Sequence, residues 1–182
     1  MYELVELKKD EYEKFVKSSK KSHFLQSYIW GEFCKKEKKM IPYYVGLKKN
    51  KKILASALLL QKKLPLGYSY FYSPRGYVLD YNDKDLIKEF TEKLRIFLKS
   101  HKAIYVKIDP DIKLQNLTID GEVIEGDNNF ALVDYMKKLG YKHLGFNKAF
   151  EHNQPRYTFR LELKDTIEEV RDGFHNTTKK LL

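Results

Sequence analysis

The sequence predicts an α/β protein in which helices flank a mixed central β-sheet. Three strand patterns follow one another in "PYYVGLKK", "KKILASALLLQKKL" and "GYSYFYSPRGYVLDY", as in an antiparallel meander. From residue 83 onwards, helix and strand patterns alternate, which is typical of a sheet that also contains parallel strands. Hydrophobic residues make up 42% of the 182 residues, which is enough for the core of an ordinary globular domain.

The region before the meander predicts one strand and two helices. "YELVEL" alternates as a strand does, and "KKDEYEKFVKSS" follows as a polar-rich helix. In the second helix Ser27 is the expected N-cap, and Ile29, Trp30 and Phe33 fall on one face. We therefore expect Trp30 and Phe33 to be core residues.

The last strand of the meander carries an unusual row of tyrosines. Side chains of a strand alternate between its two faces, so three phenols are predicted to share one face, namely Tyr68, Tyr70 and Tyr72. The segment Pro74-Arg75-Gly76 then ends or bulges the strand.

The second half of the chain predicts further helices and strands. "DKDLIKEFTEKLRIFLKSHK" is the clearest helix, and "AIYVKIDPDI" is expected to be a buried strand that Pro110 interrupts. A helix then ends at Gly140 and a short strand follows it. "PRYTFRLEL" alternates as another strand, and the final helix is predicted to begin at Asp165 with Glu168 at capping-box spacing.

The domain boundary is predicted near residue 150. Residues 1–150 form a first domain in this interpretation, and residues 151–182 begin a second one. The apolar positions of the last helix (Ile167, Val170 and Phe174) need a partner surface that the sequence does not supply. We therefore expect the chain to be part of a longer protein.

Charge and cysteine content restrict the classes of function. With 35 Lys+Arg against 25 Asp+Glu, the net charge of +10 favours anionic partners, although a lysine-rich surface without a specific partner fits equally well. The single Cys34 excludes an internal disulfide and a cysteine-based zinc site, and the five histidines are scattered. No apolar run reaches membrane-spanning length. A reduced, cytoplasmic, soluble protein without metal or other cofactor is the expectation.

The predicted order of elements is that of the GNAT-like (acyl-CoA N-acyltransferase-like) fold. Enzymes of that fold that use acetyl-CoA resemble the pattern Q/R-x-x-G-x-G/A at a strand-to-helix turn, where backbone amides hold the pyrophosphate. The sequence has no such turn after "AIYVKIDPDI". An acyl-CoA N-acyltransferase is therefore the weaker alternative, and a basic RNA-binding module using tyrosines and lysines is a further one.

Six segments, in this order, resemble the N-terminal half of the FemABX peptidoglycan bridge-forming aminoacyltransferases. They are "FLQSYIWGEFCKKE", "PYYVGL", "LPLGYSYFYSPRGYVLDY", "YVKIDPDI", "MKKLGYKHLGF" and "QPRYTFRLEL…TIEEVRDGFHNTTKK". The resemblance runs from about Ser22 to Lys180.

The resemblance implies two GNAT-like domains and transfer of an amino acid from aminoacyl-tRNA to the stem-peptide amine of a muramyl precursor. The acceptor would be UDP-muramyl-pentapeptide or a lipid-linked equivalent, with peripheral contact at the inner membrane face. The N-terminal domain would contribute much of the acceptor site. On this interpretation, residues 1–182 alone are expected to be inactive.

The resemblance also implies phosphate contacts at two places. In the family, a lysine in the helix after Q-S-x-x-W contacts phosphate; here the matching position is Cys34, and Lys35 follows it. A second contact matches Thr178, Lys179 and Lys180. A solvated lysine run and a frayed basic chain end are the respective alternatives.

Four further candidates follow from their chemistry. Arg75 can form paired hydrogen bonds with phosphate or carboxylate, or a salt bridge to Asp80 or Glu89. Tyr70 and Tyr72 can hydrogen-bond a sugar or peptide, or pack under a helix. Asp109 can accept or orient the proton of the attacking amine, or form a strand-end Asx turn.

Overall fold

The computed structural model describes residues 1–118, 120–126, 128–145 and 161–181. The chain divides into two compact units, Met1–Lys142 and His143–Leu182. None of the described helices combines the length and apolar content that crossing a membrane requires.

The first unit contains seven strands and four helices among its described residues. The strands are β1 Tyr2–Glu6, β2 Ile41–Lys49, β3 Lys52–Lys63, β4 Ser69–Ser73, β5 Ala103–Ile108, β6 Asn116–Leu117 and β7 Val123–Ile124. The helices are α1 Lys9–Ser18, α2 Tyr28–Lys38, α3 Lys84–Ser100 and α4 Phe130–Lys138. Short 3-10 turns at Phe24–Gln26 and Pro65–Gly67 precede α2 and β4.

The first five strands form one sheet in the order β1-β2-β3-β4-β5. The pairs from β1 to β4 are antiparallel, whereas β4 and β5 are parallel and are connected through α3. Strands β6 and β7 form a separate small hairpin. The structure thus confirms the predicted mixed sheet flanked by helices.

Two hydrophobic clusters cover the two faces of the sheet. On β3, Ala57 and Leu59 belong to the first cluster, while Leu58 and Leu60 belong to the second. Since neighbouring strand residues point to opposite faces, the clusters lie on opposite sides of the sheet. The first cluster receives the apolar face of α3, and the second receives side chains of α1 and α2.

The prediction of which face of α2 is buried was wrong. Gly31 and Cys34 are the buried residues of α2, whereas Phe33 is 44% exposed and Trp30 is half-buried. The cause is Tyr44 on β2, whose ring lies where a side chain at position 31 would be. Only a residue without a Cβ lets the helix approach the sheet this closely.

The predicted burial of β5 was also wrong. β5 is the last strand in the order of the described sheet, and Ile104 and Tyr105 are 61% and 52% exposed. An apolar sequence of this length is compatible with either a central or an edge strand, so composition alone does not distinguish them.

The C-terminal elements differ in detail from the prediction. No strand follows Gly140 over residues 141–145, and most of "PRYTFRLEL" lies outside the described residues. The second unit contains α5 Ile167–Asp172 and α6 Asn176–Lys179. The N-cap of α5 is Thr166 with a capping box to Glu169, one residue later than the Asp165–Glu168 pair expected.

Candidate functional site

The turn that follows β4 brings Arg75 next to the end of β5. The two strands are parallel, with Ser73 paired to Ile108, so the segments after them leave the sheet at the same edge. The backbone N–H of Arg75 donates to Oδ1 of Asp109 over 2.9 Å. Residues far apart in sequence thus meet at the carboxyl ends of these two parallel strands, where α/β proteins commonly bind ligands.

Arg75 adopts a left-handed backbone conformation, with a φ of 53°. Such a conformation costs a residue with a side chain roughly 1–3 kcal/mol, and it persists only where neighbours hold it. Backbone strain of this kind concentrates at functional turns. At Arg75 it gives a reason, independent of charge, to treat the turn as part of a site.

Gln26 holds the turn in place through hydrogen bonds of its side-chain amide. Its side chain is fully buried, and its Nε2 donates to the carbonyl of Pro74 and to Oγ of Ser73. Its Oε1 accepts from the backbone N–H of Leu58 on β3 over 2.9 Å. Because every polar atom of this amide has a partner, the turn is tied to the centre of the sheet.

Asp109 holds the same turn through a hydrogen bond to its carboxylate. Burial raises the pKa of its carboxyl above the usual value, against the opposing effects of the Arg75 N–H, the Tyr72 hydroxyl and the positive charges of Arg75 and Lys107. No hydrogen bond of a local Asx turn, the alternative prediction, is found for the Asp109 side chain among the described residues. Instead it accepts a hydrogen bond from a residue 34 positions away.

The guanidinium of Arg75 faces a small cleft of about 110 Å³. Its Nη1 lies 3.8 Å from Oδ1 of Asp111, so its ion-pair partner is neither Asp80 nor Glu89. The Nε of Arg75 is buried without a hydrogen-bond partner among the described residues. The lining residues are Lys20, Lys21, Ser22, Arg75, Tyr77, Tyr81 and Asp111.

The cleft walls combine three cations with hydroxyl groups. Burial raises the pKa of Tyr77 and of Tyr81, so both phenols stay protonated and can donate hydrogen bonds. Three cations against one carboxylate leave the cleft positively charged at neutral pH. Such a surface can bind a phosphate or carboxylate group of a polar ligand.

His23 borders this cluster as a neutral side chain. Burial lowers its pKa first, and the charge of Arg75 lowers it further, while Asp111 and Asp109 act in the opposite direction. Its Nδ1 accepts from the backbone N–H of Leu25 over 3.1 Å and caps the 3-10 turn. The neutral ring therefore fixes the segment that carries Gln26.

The tyrosine row is shorter than predicted. Tyr70 and Tyr72 share one face of β4 and are half-buried, but Tyr68 lies before the strand. Tyr70 stacks on Tyr105 of β5 with ring centroids 5.4 Å apart. Tyr72 packs at the second cluster and interacts with Asp109.

The remaining predicted residues belong to α2 and to the second unit. Lys35 is exposed on the last turn of α2 and does not line the cleft. Thr178 and Lys179 belong to α6 of the second unit, and Lys180 follows them; the Nζ of Lys179 lies 3.8 Å from Asp172. The structure brings together Arg75, Asp109 and Tyr72. Among the described residues no cluster of His, Cys, Asp or Glu could hold a metal ion.

Several site residues were missed by sequence reasoning, namely Lys20, Lys21, His23, Gln26, Tyr81 and Asp111. Asp111 had a usable signal, because "DPD" directly follows a strand that runs parallel to its neighbour. Gln26 opens the Q-S-x-x-W motif, but its role in holding the turn had no local signal, since its partners are 32 to 48 residues away.

Known proteins resemble this chain over nearly all of its length. Aminoacyltransferase FemA of Staphylococcus aureus strain bovine RF122 / ET3-1 is 35% identical over 178 residues, which cover 94% of this chain and 42% of the relative. FemA of strain MW2 matches to the same extent. A crystal structure of FemX has a TM-score of 0.71 at 27% identity, covering 98% of this chain and 42% of that one.

The chain thus spans less than half the length of these relatives. The model of the FemAB family matches residues 7–182, which include β2 to β5 and the whole cleft. With its predicted motifs, its mixed sheet and this match in agreement, the chain belongs to the FemAB family.

Proposed function

We propose that the protein containing this chain transfers an amino acid from aminoacyl-tRNA to the stem-peptide amine of a muramyl precursor during formation of the peptidoglycan interpeptide bridge. The observation that carries the proposal is the cationic cleft around Arg75, in a chain of the FemAB family whose relatives are named aminoacyltransferases. In this proposal the cleft binds the acceptor, and the donor tRNA is handled mainly by other parts of the protein.

The acceptor suits the cleft by its chemistry. A muramyl precursor carries a diphosphate, a sugar and a peptide with free carboxylates. Arg75 offers an edge for paired hydrogen bonds to one of these anionic groups, while Lys20 and Lys21 act as point charges nearby. Tyr70 supplies a flat ring for the sugar or peptide.

The reaction needs little beyond positioning. The acceptor amine attacks the ester carbonyl of the aminoacyl-tRNA, a C–N bond forms, and the C–O bond to the terminal ribose breaks. The proton lost by the amine is balanced by the one taken up by the released ribose hydroxyl. Correct placement of the two substrates can supply much of the acceleration, because the ester is already activated.

Asp109 is the proposed acceptor for the amine proton. A carboxylate whose pKa is raised by burial is a stronger base than an exposed one, and it lies at the carboxyl edge of the sheet beside the cleft. Its hydrogen bond to the Arg75 N–H also couples the base to the binding turn.

We further propose that residues 1–150 form the first of two GNAT-like domains and that residues 151–182 open the second. Lys35, Thr178, Lys179 and Lys180 remain proposed phosphate contacts. The protein is proposed to act in the cytoplasm and to meet the inner membrane face peripherally.

A thermal-shift titration tests the acceptor site. UDP-muramyl-pentapeptide at 100 times its Kd should stabilise the protein by ~2.7 kcal/mol, whereas acetyl-CoA and a small tRNA should stabilise the chain less. Changing Arg75→Gln should weaken binding of the muramyl nucleotide roughly 10- to 100-fold, because a charge-assisted hydrogen-bond pair is lost. Arg75→Lys should lie between Arg75→Gln and the wild type, because it keeps the charge and loses the paired geometry.

The matched control is Lys88→Gln, which removes one charge from the exposed side of α3. It should leave the titration unchanged. A response to acetyl-CoA alone would instead favour an acyl-CoA transferase. Equal binding by wild type and Arg75→Gln, in both the 182-residue chain and the full-length protein, would contradict the proposed cleft.

A further inference from the structure

An exposed aromatic patch lies beside the cleft. We define the aromatic patch as Phe24, Ile29, Trp30 and Phe33. Phe24 is 66% exposed, Ile29 75% and Phe33 44%, while Trp30 is half-buried. The Trp30 ring contacts Phe24 at a centroid distance of 5.8 Å and stacks on Phe33 at 5.1 Å.

The aromatic patch contributes little to the fold. Phe24, Ile29 and Phe33 belong to neither hydrophobic cluster, and only Trp30 packs partly against the second. The small residues Gly31 and Cys34 make the contact between α2 and the sheet instead. Contiguous large apolar side chains at a surface mark an interaction site more often than scattered ones do.

Four lysines lie at the C-terminal end of α2, on one side of the aromatic patch. The Nζ of Lys38 lies 5.1 Å from the centre of the Trp30 ring. Lys36 follows Ile29 by seven residues and Phe33 by three, which puts it on the same exposed line of α2. Lys35 and Lys39 extend this positive charge at the end of the helix, and among the described residues only Glu37 pairs with one of these lysines, Lys36, at 3.6 Å.

We propose that the aromatic patch docks on the surface of an anionic lipid bilayer. Aromatic and aliphatic side chains flanked by lysines are the combination that binds at the boundary between headgroups and acyl chains. The apolar groups enter this boundary, and each lysine near the surface gains from the negative surface potential. The charge of the rim therefore favours an anionic bilayer over a neutral partner.

One residue of the aromatic patch, Phe24, lies close to the residues around the cleft. The Phe24 ring lies 4.8 Å from the ring of His23, and His23 in turn interacts electrostatically with Arg75. A chain docked through Phe24 would hold the cleft close to the headgroups. The choice of a bilayer as the partner rests on the proposed function.

Vesicle co-sedimentation of the 182-residue chain tests this inference. The chain should bind vesicles of phosphatidylglycerol and bind phosphatidylcholine vesicles at least about tenfold more weakly. The triple change Phe24→Ser, Ile29→Ser and Phe33→Ser should weaken binding to the anionic vesicles about tenfold or more. The matched control replaces three exposed apolar residues elsewhere, Leu66→Ser, Ile96→Ser and Ile104→Ser, and should bind as the wild type does.

Two further variants separate docking from folding. Lys36→Gln with Lys38→Gln keeps the apolar residues and should weaken binding to anionic vesicles about tenfold, an effect that high salt should mask. Phe24→Leu keeps an apolar side chain and should retain binding. Thermal melting of each variant reports whether it is folded, and the lysine variants remain informative if the serine variant is not.

Each outcome has a definite meaning. Vesicle binding that survives both the serine and the lysine changes would overturn the proposal. So would chain self-association, or RNA binding, that the aromatic patch supports in the absence of any vesicle binding. The vesicle assay contains no muramyl nucleotide and the nucleotide titration contains no lipid, so failure of docking and failure of the proposed function are separate results.

Discussion

The turn at Arg75 is held through backbone atoms. The Pro74 carbonyl is bonded by Gln26 and the Arg75 N–H is bonded to Asp109, so neither contact uses the guanidinium. Among the described residues, the guanidinium has one ion pair, at 3.8 Å with Asp111, which is 68% exposed in its side chain. An exposed pair of this kind contributes little to stability, so Arg75 is available for a ligand.

Gln26 is predicted to be important for stability although it does not line the cleft. Gln26→Met preserves its size but leaves the buried Leu58 N–H and the Pro74 carbonyl without this partner. The free energy of unfolding should fall by roughly 2–4 kcal/mol, because each buried group left unpaired costs about 1–3 kcal/mol. Urea unfolding measures the change.

Gln61→Met is the control for this variant. Gln61 is also buried, but the hydrogen bond found for its side chain is a longer one, from Tyr43 at 3.3 Å. It should cost clearly less than Gln26→Met. Equal losses would mean that the contacts of Gln26 with the turn have no special weight.

Asp109 should make stability depend on pH in a definite direction. Its folded-state pKa is raised above the ordinary value of 3.8, so the folded protein binds this proton more tightly than the unfolded chain. The stability that this proton contributes is present at low pH and is lost as pH rises through the folded-state pKa. Asp109→Asn, which keeps an acceptor for the Arg75 N–H, removes the loss.

Urea unfolding of both proteins over a pH series measures this effect. The stability of Asp109→Asn relative to the wild type should increase from pH 3.8 upwards and then level off. Asp85→Asn, at an exposed position of α3, serves as the control for general charge effects. A relative stability that decreases over the same range would show that the hydrogen bonds to the carboxylate outweigh its burial.

Sequence reasoning found only the site residues that carry a local signal. Arg75 stands in a Pro-Arg-Gly turn after a strand, and Asp109 ends the next parallel strand, so both could be identified. Gln26 and His23 could not, because their roles depend on partners brought together by the sheet. Lys35 was placed by resemblance, and α2 carries it outside the cleft.

Helix α2 shows how packing can reverse a periodicity argument. The spacing of Ile29 and Phe33 predicts that their side of α2 is buried. Because Tyr44 on β2 is bulky, the helix instead packs on the sheet through the side that carries its small residues. The Tyr44 hydroxyl donates to the carbonyl of Tyr28 over 3.0 Å, and the two rings stack. By contrast, α3 has one continuous apolar face and no such neighbour, and its prediction was confirmed.

Gly31→Ala should therefore destabilise the protein despite the better helix propensity of alanine. Propensity alone would favour alanine by about 1 kcal/mol. The added Cβ would collide with the Tyr44 ring, and overpacking of this kind costs about 1–3 kcal/mol. Thermal unfolding should show a lower Tm for the variant.

Gly173→Ala is the control at a glycine with space around it. Gly173 has a helical φ of −71°, and a Cβ there would meet its nearest neighbour at an ordinary 3.4 Å. Its Tm should stay the same or rise. A rise in Tm for Gly31→Ala would show that Tyr44 can move aside without loss.

The mixed sheet could be predicted because the sequence patterns of its strands and helices recur along the chain. Alternating strands and one long amphipathic helix determine the order of elements, and the observed order β1 to β5 agrees with it. That β5 is the last strand of the described sheet could not be predicted, because β5 has the apolar composition of a central strand. The predicted division at residue 150 falls within the second unit, which begins at His143.

The hydrogen bonds to the backbone of the Arg75 turn fix the position of residue 75, whereas its side chain determines which ligand group it can bind. Gln26 and Asp109 determine the point and direction from which residue 75 leaves the turn, whatever its side chain is. A mutation at this position can therefore change ligand preference while the scaffold stays the same. In evolutionary terms, the turn is a site where specificity can diverge among related proteins without a new fold.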